Sequence, residues 1–182
     1  MGNKTRKMTL SALFAALCVI SLFVASVWPT GRFGLVAFAS LFVAAAVIEG
    51  GIGSGISAFA VSSVIGMLIL PNRVAPLLFI VFFGYYPVAK SLIEHIRGTI
   101  AQWVIKLALF NTVAVAMWFF MREILLEAMG SRPVFGVELE GFPIALLLGG
   151  SIIFVIYDFG FTKLIWFYIN RISKLMRKGN SR

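Results

Sequence analysis

The sequence predicts an all-α integral membrane protein, a single bundle of six transmembrane helices with both termini in the cytoplasm. Three observations lead to this prediction: 60% of the 182 residues are hydrophobic, only 13% are charged, and the apolar residues form six long runs. Soluble domains carry about 25% charged residues. A soluble chain of this size could not bury so much apolar surface, because much of any folded surface stays in contact with water. A membrane span needs about 20 mostly apolar residues, so the runs leave no room for a soluble catalytic domain.

The predicted spans follow one another through short connections in the first half of the chain. They cover residues 8–28, 33–48, 52–70, 74–89, 99–120 and 142–169, in one transmembrane domain of residues 1–182. Pro29 and Gly31 in "WPTGR" suit a turn after the first span, which is interpreted as a retained helix rather than a cleaved signal because more spans follow. The short connections "EGGIGSG" and "PNR" predict tight antiparallel hairpins between spans two, three and four. A polar connection, 122–141, separates the last two spans.

Lysine and arginine residues in the short loops indicate the orientation of the spans. With the N-terminus inside, ten basic residues lie on the cytoplasmic side: Lys4, Arg6, Lys7, Lys90, Arg97, Arg171, Lys174, Arg177, Lys178 and Arg182. Four lie on the outer side: Arg32, Arg73, Arg122 and Arg132. The net charge of +9 is therefore better explained by anchoring to the lipid bilayer than by binding to nucleic acid.

Catalytic and metal-binding patterns are not found in the sequence. The chain has one histidine, His95, in a predicted inner loop, and one cysteine, Cys18, inside the first apolar run. Cys18 is expected to be a small buried residue. No nucleophile with its base, no metal-ligand cluster and no nucleotide-binding fingerprint is present. The sequence therefore predicts a protein that is not an enzyme and that has no metal and no cofactor.

The stretch "YYPVAKSLIEHIRG" follows the fourth apolar run and breaks its pattern. Tyr85–Pro87 is predicted to anchor and kink the inner end of the span, because aromatic rings with polar tips favour the headgroup region. Lys90 and Glu94 are four residues apart and are expected to pair in an inner loop that also contains Arg97. Two interpretations stay open: an interfacial loop that only connects two helices, or a docking surface for a cytoplasmic partner that uses Lys90 and Arg97.

Charged residues inside apolar runs are costly in lipid and therefore informative. Lys106 in span five and Asp158 in span six can reach a similar depth, so they are predicted to form an intramembrane pair. The pair is interpreted either as a structural contact near the inner interface or as a polar site for a ligand or a proton. Lys163 lies nearer the inner end of its span and is expected to snorkel.

Small residues form a regular pattern in the first span, where Ala12 and Ala16 are four residues apart and Ala15 lies beside them. Small residues at this spacing let two helices approach closely in lipid. The face could serve packing within the bundle or contact with another subunit.

The basic N-terminus, the first helix "RKMTLSALFAAL" and the third helix "GIGSGISAFAVSSVIGMLILP" resemble the substrate-binding S component of energy-coupling factor (ECF) vitamin transporters. The resemblance covers the overall layout of the chain. It implies that Ala12 and Ala16, as the Ala-x-x-x-Ala motif of the family, contact a transmembrane coupling subunit. It also implies that the chain binds a small molecule near its outer face and topples on docking, while two cytoplasmic ATPases drive release.

The resemblance places the small-molecule site at the outer ends of the helices and in the outer loops. The residues implied there are Trp28, Arg32, Asn72, Arg73 and Trp118. Taken singly, each is also a normal interfacial anchor. The expected function is thus the binding subunit of a small-molecule uptake transporter in a bacterial plasma membrane. The alternative is a small membrane scaffold or assembly protein of the cell envelope that has no ligand.

Overall fold

A computed structural model describes residues 2–28, 30–129 and 142–173, and this part of the chain is helical apart from short turns. Six helical segments are long and apolar enough to cross a membrane: Lys4–Val27, Arg32–Gly50, Ile52–Ile69, Val74–Ile93, Thr99–Phe119 and Leu147–Arg171. The predicted all-α fold with six candidate spans is confirmed. The chain is therefore a multi-pass membrane protein, whose orientation stays a prediction.

The helices begin and end close to the predicted positions in the first three spans. They are α1 (Gly2–Val27), α2 (Arg32–Gly50), α3 (Ile52–Ile69), α4 (Val74–Leu78), α5 (Tyr86–Ile93), α6 (Thr99–Met129) and α7 (Phe142–Phe167). A π-helical turn, Phe79–Phe83, follows α4, and a π-helical segment, Tyr168–Ser173, follows α7. Helix α6 continues past residue 120, so the first part of the predicted polar connection is helical. Pro29, Arg132 and the basic tail from Lys174 lie outside the described residues.

Two compact units can be distinguished along the chain. The first contains Met1–His95 and Phe161–Arg182, and the second contains Ile96–Gly160. The first unit therefore holds α1 to α5 and the end of α7, whereas the second holds α6 and most of α7. The single transmembrane domain stays a prediction.

The core of the first unit forms where α1 and α2 pack against the fourth span. Its fully enclosed members include Cys18, Leu22, Val36, Val43 and Phe79. Cys18 is a free thiol with no exposed surface, which confirms the expectation of a small buried residue. Three further members of this core are alanine, Ala25, Ala39 and Ala75, and such small side chains let helix backbones approach closely in lipid.

Helices α2 and α3 are joined by one residue, Gly51. Its φ of +89° lies in the left-handed region that glycine adopts without strain, and its amide donates to the carbonyl oxygen of Val47 at 2.9 Å. Further along α3, a side chain at Gly55 would collide with Val47 and would come within 3.3 Å of Val88. The glycine-rich connection thus makes the predicted tight hairpin, and Gly55 allows the close packing.

The fourth span differs from its prediction in length and in the position of its tyrosines. It continues to Ile93 instead of ending at residue 89. Pro87 lies in the first turn of α5, where its missing N–H breaks no helical hydrogen bond, so it helps to start a helix. The interfacial position predicted for Tyr86 is wrong: its side chain is buried, and its ring centroid lies 6.0 Å from that of Phe161.

Candidate functional site

Lys90 is a buried lysine in the first unit, with 3% of its surface exposed. Because α5 continues to Ile93, Lys90 falls on the same helix face as the buried Tyr86 and Ile93. The predicted position of Lys90 in an exposed loop is therefore wrong, whereas its role in docking a partner stays a prediction. Arg97, its predicted companion, follows α5 and is exposed.

Glu94 and Thr162 are partners of the Lys90 ammonium group. Its Nζ lies 2.7 Å from Oε1 of Glu94, which confirms the predicted pair, and donates to Oγ1 of Thr162 at 3.0 Å. Glu94 is 43% exposed, so this carboxylate connects the buried charge to solvent. A buried lysine needs such partners, because an isolated ammonium group in an apolar interior is strongly destabilised.

Among the described residues of the first unit, three cavities that could each hold a small molecule are considered in turn. One of about 260 Å³ lies beside Lys90 and is lined by Ser91, Glu94 and His95 on its polar side and by Val47 on its apolar side. A second of about 320 Å³ lies beside the lysines at the start of α1. A third of about 450 Å³ is almost wholly apolar and lies between α1, α2 and the end of α7 with Tyr168.

The cavity beside Lys90 presents charges of both signs next to an apolar wall. Nδ1 of His95 lies 2.5 Å from the carbonyl oxygen of Ser91, so this ring nitrogen donates the hydrogen bond. The ammonium of Lys90 and the carboxylate of Glu94 can each bind an opposite charge on a ligand. No group of three or more His, Cys, Asp or Glu residues that could hold a metal ion occurs in the part of the chain that the structure describes.

Lys106 and Asp158 form the predicted intramembrane pair, within the second unit. Nζ of Lys106 lies 3.1 Å from Oδ2 of Asp158, and both residues are buried. The ammonium also lies 5.4 Å from the ring centroid of Trp103, where a cation–π contact adds to its stabilisation. Each charge is compensated by the other, as the structural interpretation of this pair requires.

Further contacts join α6 to α7 beyond this pair. Oγ of Ser151 donates to Oδ1 of Asn111 at 3.3 Å, and the rings of Phe110 and Phe154 stack with their centroids 4.8 Å apart. The pair, the amide–hydroxyl contact and the stacked rings therefore follow one seam between the two helices.

Four of the five residues implied as ligand contacts belong to the first unit, and each has its own local surroundings. Nε of Arg32 donates to the carbonyl oxygen of Ala25 at 3.2 Å. Asn72 is held at the start of α4. Its backbone N–H donates to Oγ of Ser26 at 3.0 Å, and its side-chain Oδ1 accepts from the backbone N–H of Val74 at 2.8 Å. Of the rest, Trp28 and Arg73 are exposed and Trp118 lies in the second unit. None of these five residues lines any of the three cavities above.

The small residues of α1 lie on two different faces. Ala15 is buried and packs in a cluster with Phe14, Ala45 and Ala58, as expected for packing within the bundle. Ala12 and Ala16 are exposed. The Ala-x-x-x-Ala strip is thus left open by the helices of its own unit.

Two features of these sites were not predicted from the sequence. Thr162 is a partner of Lys90, although 72 positions separate the two residues. The available signal was its position four residues after Asp158, which places both polar side chains on one face of α7. The cavity beside the N-terminal lysines was also not predicted, because it needs α1 and α3 side by side.

Comparison with known proteins leaves the family of this chain open, since no protein-family model, no curated protein and no solved structure matches it. The resemblance to ECF S components therefore stays a prediction.

Proposed function

We propose that this chain is the membrane-embedded substrate-binding subunit of an ECF-type uptake transporter for a small, vitamin-like molecule, in a bacterial cell membrane. The observation that carries the proposal is the exposed strip of Ala12 and Ala16 on α1. In this assignment the strip contacts a transmembrane coupling subunit, and two cytoplasmic ATPases supply the energy.

The surroundings of the strip support this assignment. Large side chains of α1 such as Leu13, Ile20 and Phe23 are exposed, as expected for a surface in contact with lipid. Ala12 and Ala16 make a shallow strip among them, and a helix that lies on two alanines can approach the backbone of α1 closely. Close approach matters here because packing, rather than the hydrophobic effect, drives helix association in lipid.

The alternative function, a membrane scaffold of the cell envelope without a ligand, is favoured by a different observation. Arg32 and Asn72, implied as ligand contacts, are engaged with the ends of their own helices, and none of the five implied residues lines a cavity described above. A scaffold needs partners but no pocket.

Purification from native membranes in a mild detergent tests the proposal. We expect ATP hydrolysis in the eluate, two ATPase subunits and a coupling subunit by mass spectrometry, and one small molecule released on denaturation. Ala12→Leu/Ala16→Leu should remove the ATPase activity and keep the small molecule, because leucine side chains block the close approach.

The matched control changes two exposed alanines of α6 in the same way, Ala101→Leu/Ala108→Leu, and should keep the ATPase activity. An eluate without ATPase subunits and without a small molecule would refute the transport proposal and favour the scaffold.

A further inference from the structure

We propose that the groove between the N-terminal ends of α1 and α3 binds the phosphate headgroup of an anionic phospholipid. This groove is the cavity of about 320 Å³ described above, and its polar lining comprises Lys4, Lys7, Ser11, Ser54 and Ser57, with Gly53. The inference does not depend on the transport function, because it concerns the isolated chain and its bilayer.

Both charged side chains in the described lining of the groove are positive. Lys4 and Lys7 are three residues apart, so they project from one face of α1, and no carboxylate belongs to the lining. Both lysines are exposed at the rim of the groove, where an anion can reach them. Two ammonium groups on one side of a small groove favour a phosphate, which can accept several charge-assisted hydrogen bonds at once.

The start of α3 adds further donors to the same groove. Gly51 precedes the helix and offers no side chain to its first amides. The amides at the beginning of a helix lack partners within the helix and carry its positive dipole end. The Ser54 hydroxyl lines the groove at this position, and a side chain at Gly53 would meet nothing within 4 Å. The space above Gly53 is therefore open to a headgroup.

The composition changes along the groove, and this change favours a lipid over a free anion. Ser11 and Ser57 donate to carbonyl oxygens of their own helices, at 2.9 Å in each case, and thus mark the transition from charged to apolar surface. Met8 also lines the groove, next to Lys7, and beyond the two serines the lining consists of Ala12, Ala15 and Val61, which offer no hydrogen-bonding side chain. A charged rim followed by an apolar trough matches a headgroup joined to an acyl chain.

The position of the groove in the sequence agrees with this ligand. Lys4 begins the first candidate span, so the rim of the groove lies where a span meets the headgroup region. The predicted orientation puts this end at the cytoplasmic leaflet, which is rich in anionic lipids, and basic pockets between helices on that side bind anionic headgroups.

Native mass spectrometry of the full-length chain tests the inference, with delipidated protein in neutral micelles containing equimolar phosphatidylglycerol and phosphatidylcholine. We expect preferential retention of phosphatidylglycerol. Lys4→Gln/Lys7→Gln should weaken its binding about 10- to 30-fold. Gly53→Leu keeps every charge but fills the groove, and should weaken binding by about tenfold, an order-of-magnitude estimate for excluding the headgroup.

The matched control is Arg6→Gln/Arg171→Gln, which removes two exposed cations from the same predicted membrane side but outside the groove. It should change binding less than about twofold, as expected when no direct contact is lost. Equal retention of the two lipids would overturn the inference. It would also be overturned if the two double variants lost phosphatidylglycerol binding equally, or if Gly53→Leu bound this lipid as well as the native chain does. Competition by micromolar inorganic phosphate would assign the groove to free anions instead.

Discussion

The ammonium group of Lys90 is a deeply buried charge of the first unit and has partners from two parts of the chain. Glu94 lies one helical turn away, whereas Thr162 comes from the end of α7. Because Glu94 is 43% exposed, solvent screens its attraction. The contact with the Thr162 hydroxyl, which joins two distant parts of the chain, is the more specific one. The stability of this site should therefore respond to small changes at residue 162.

Thr162→Val should lower the free energy of unfolding in detergent by about 1–3 kcal/mol, because it removes an acceptor from a buried donor and keeps the shape. Adding Lys90→Met to this variant should recover part of the loss, since no buried ammonium group is then left without its hydroxyl acceptor. Thr112→Val is the matched control, because the exposed hydroxyl of Thr112 donates to the carbonyl oxygen of its own helix. An unchanged midpoint of thermal unfolding for Thr162→Val would show that the Lys90–Thr162 hydrogen bond does not contribute to stability.

Lys106→Ala should destabilise the protein by about 3–5 kcal/mol, because it leaves the Asp158 carboxylate buried without its partner. Lys106→Ala/Asp158→Ala should cost less than the sum of the two single changes, since each single variant contains an unpaired charge. The four proteins can be compared by thermal unfolding in one detergent. Additive losses would mean that the two groups do not interact.

At the scale of the elements, glycine determines how closely α3 can approach its neighbours. Gly55 faces Val47 of α2 and Val88 of α5, and Gly53 on the same helix faces open space. Replacement of glycine by alanine should thus have different effects on stability at these two positions of α3.

Gly55→Ala should destabilise the protein by about 1–3 kcal/mol, because the added methyl group forces α2 and α3 apart. Gly53→Ala should be neutral or should stabilise by up to about 1 kcal/mol, because alanine has the higher helix propensity. Unfolding midpoints in detergent compare the two variants. Equal unfolding midpoints would show that α2 and α3 accommodate the methyl group of Gly55→Ala without loss of stability.

The sequence was sufficient to predict the spans and the Lys106–Asp158 pair, because both depend on residues that are unusual within long apolar runs. It was not sufficient for the fourth span, where Pro87 and five nearby charged or polar side chains are typical of a loop. The decisive contacts of this stretch, with Phe161 and Thr162, come from distant positions. A local pattern contains no information on such partners, so Lys90 was predicted on the surface.

At the scale of the whole molecule, the distribution of basic residues predicts the orientation of the six spans. The ten-to-four excess places both termini in the cytoplasm. Orientation also decides which leaflet supplies the lipid of the proposed groove, so it is worth measuring directly.

Arg132→Cys should react with a membrane-impermeant maleimide added to intact cells, because its connection is predicted to face outward. Lys4→Cys should react only after the membrane is permeabilised. If residue 132 were labelled only from the cytoplasmic side, the predicted topology would be wrong. The two variants control for each other, because they lie on opposite predicted sides.

The enclosure of Cys18 has a practical consequence for spectroscopy of this protein. A thiol without exposed surface does not react with fluorescent or paramagnetic reagents while the fold is intact. The native chain is thus silent toward such probes, and every cysteine introduced elsewhere becomes the single attachment point of its label. The rate at which Cys18 itself reacts would then measure how often the helix core opens by local unfolding.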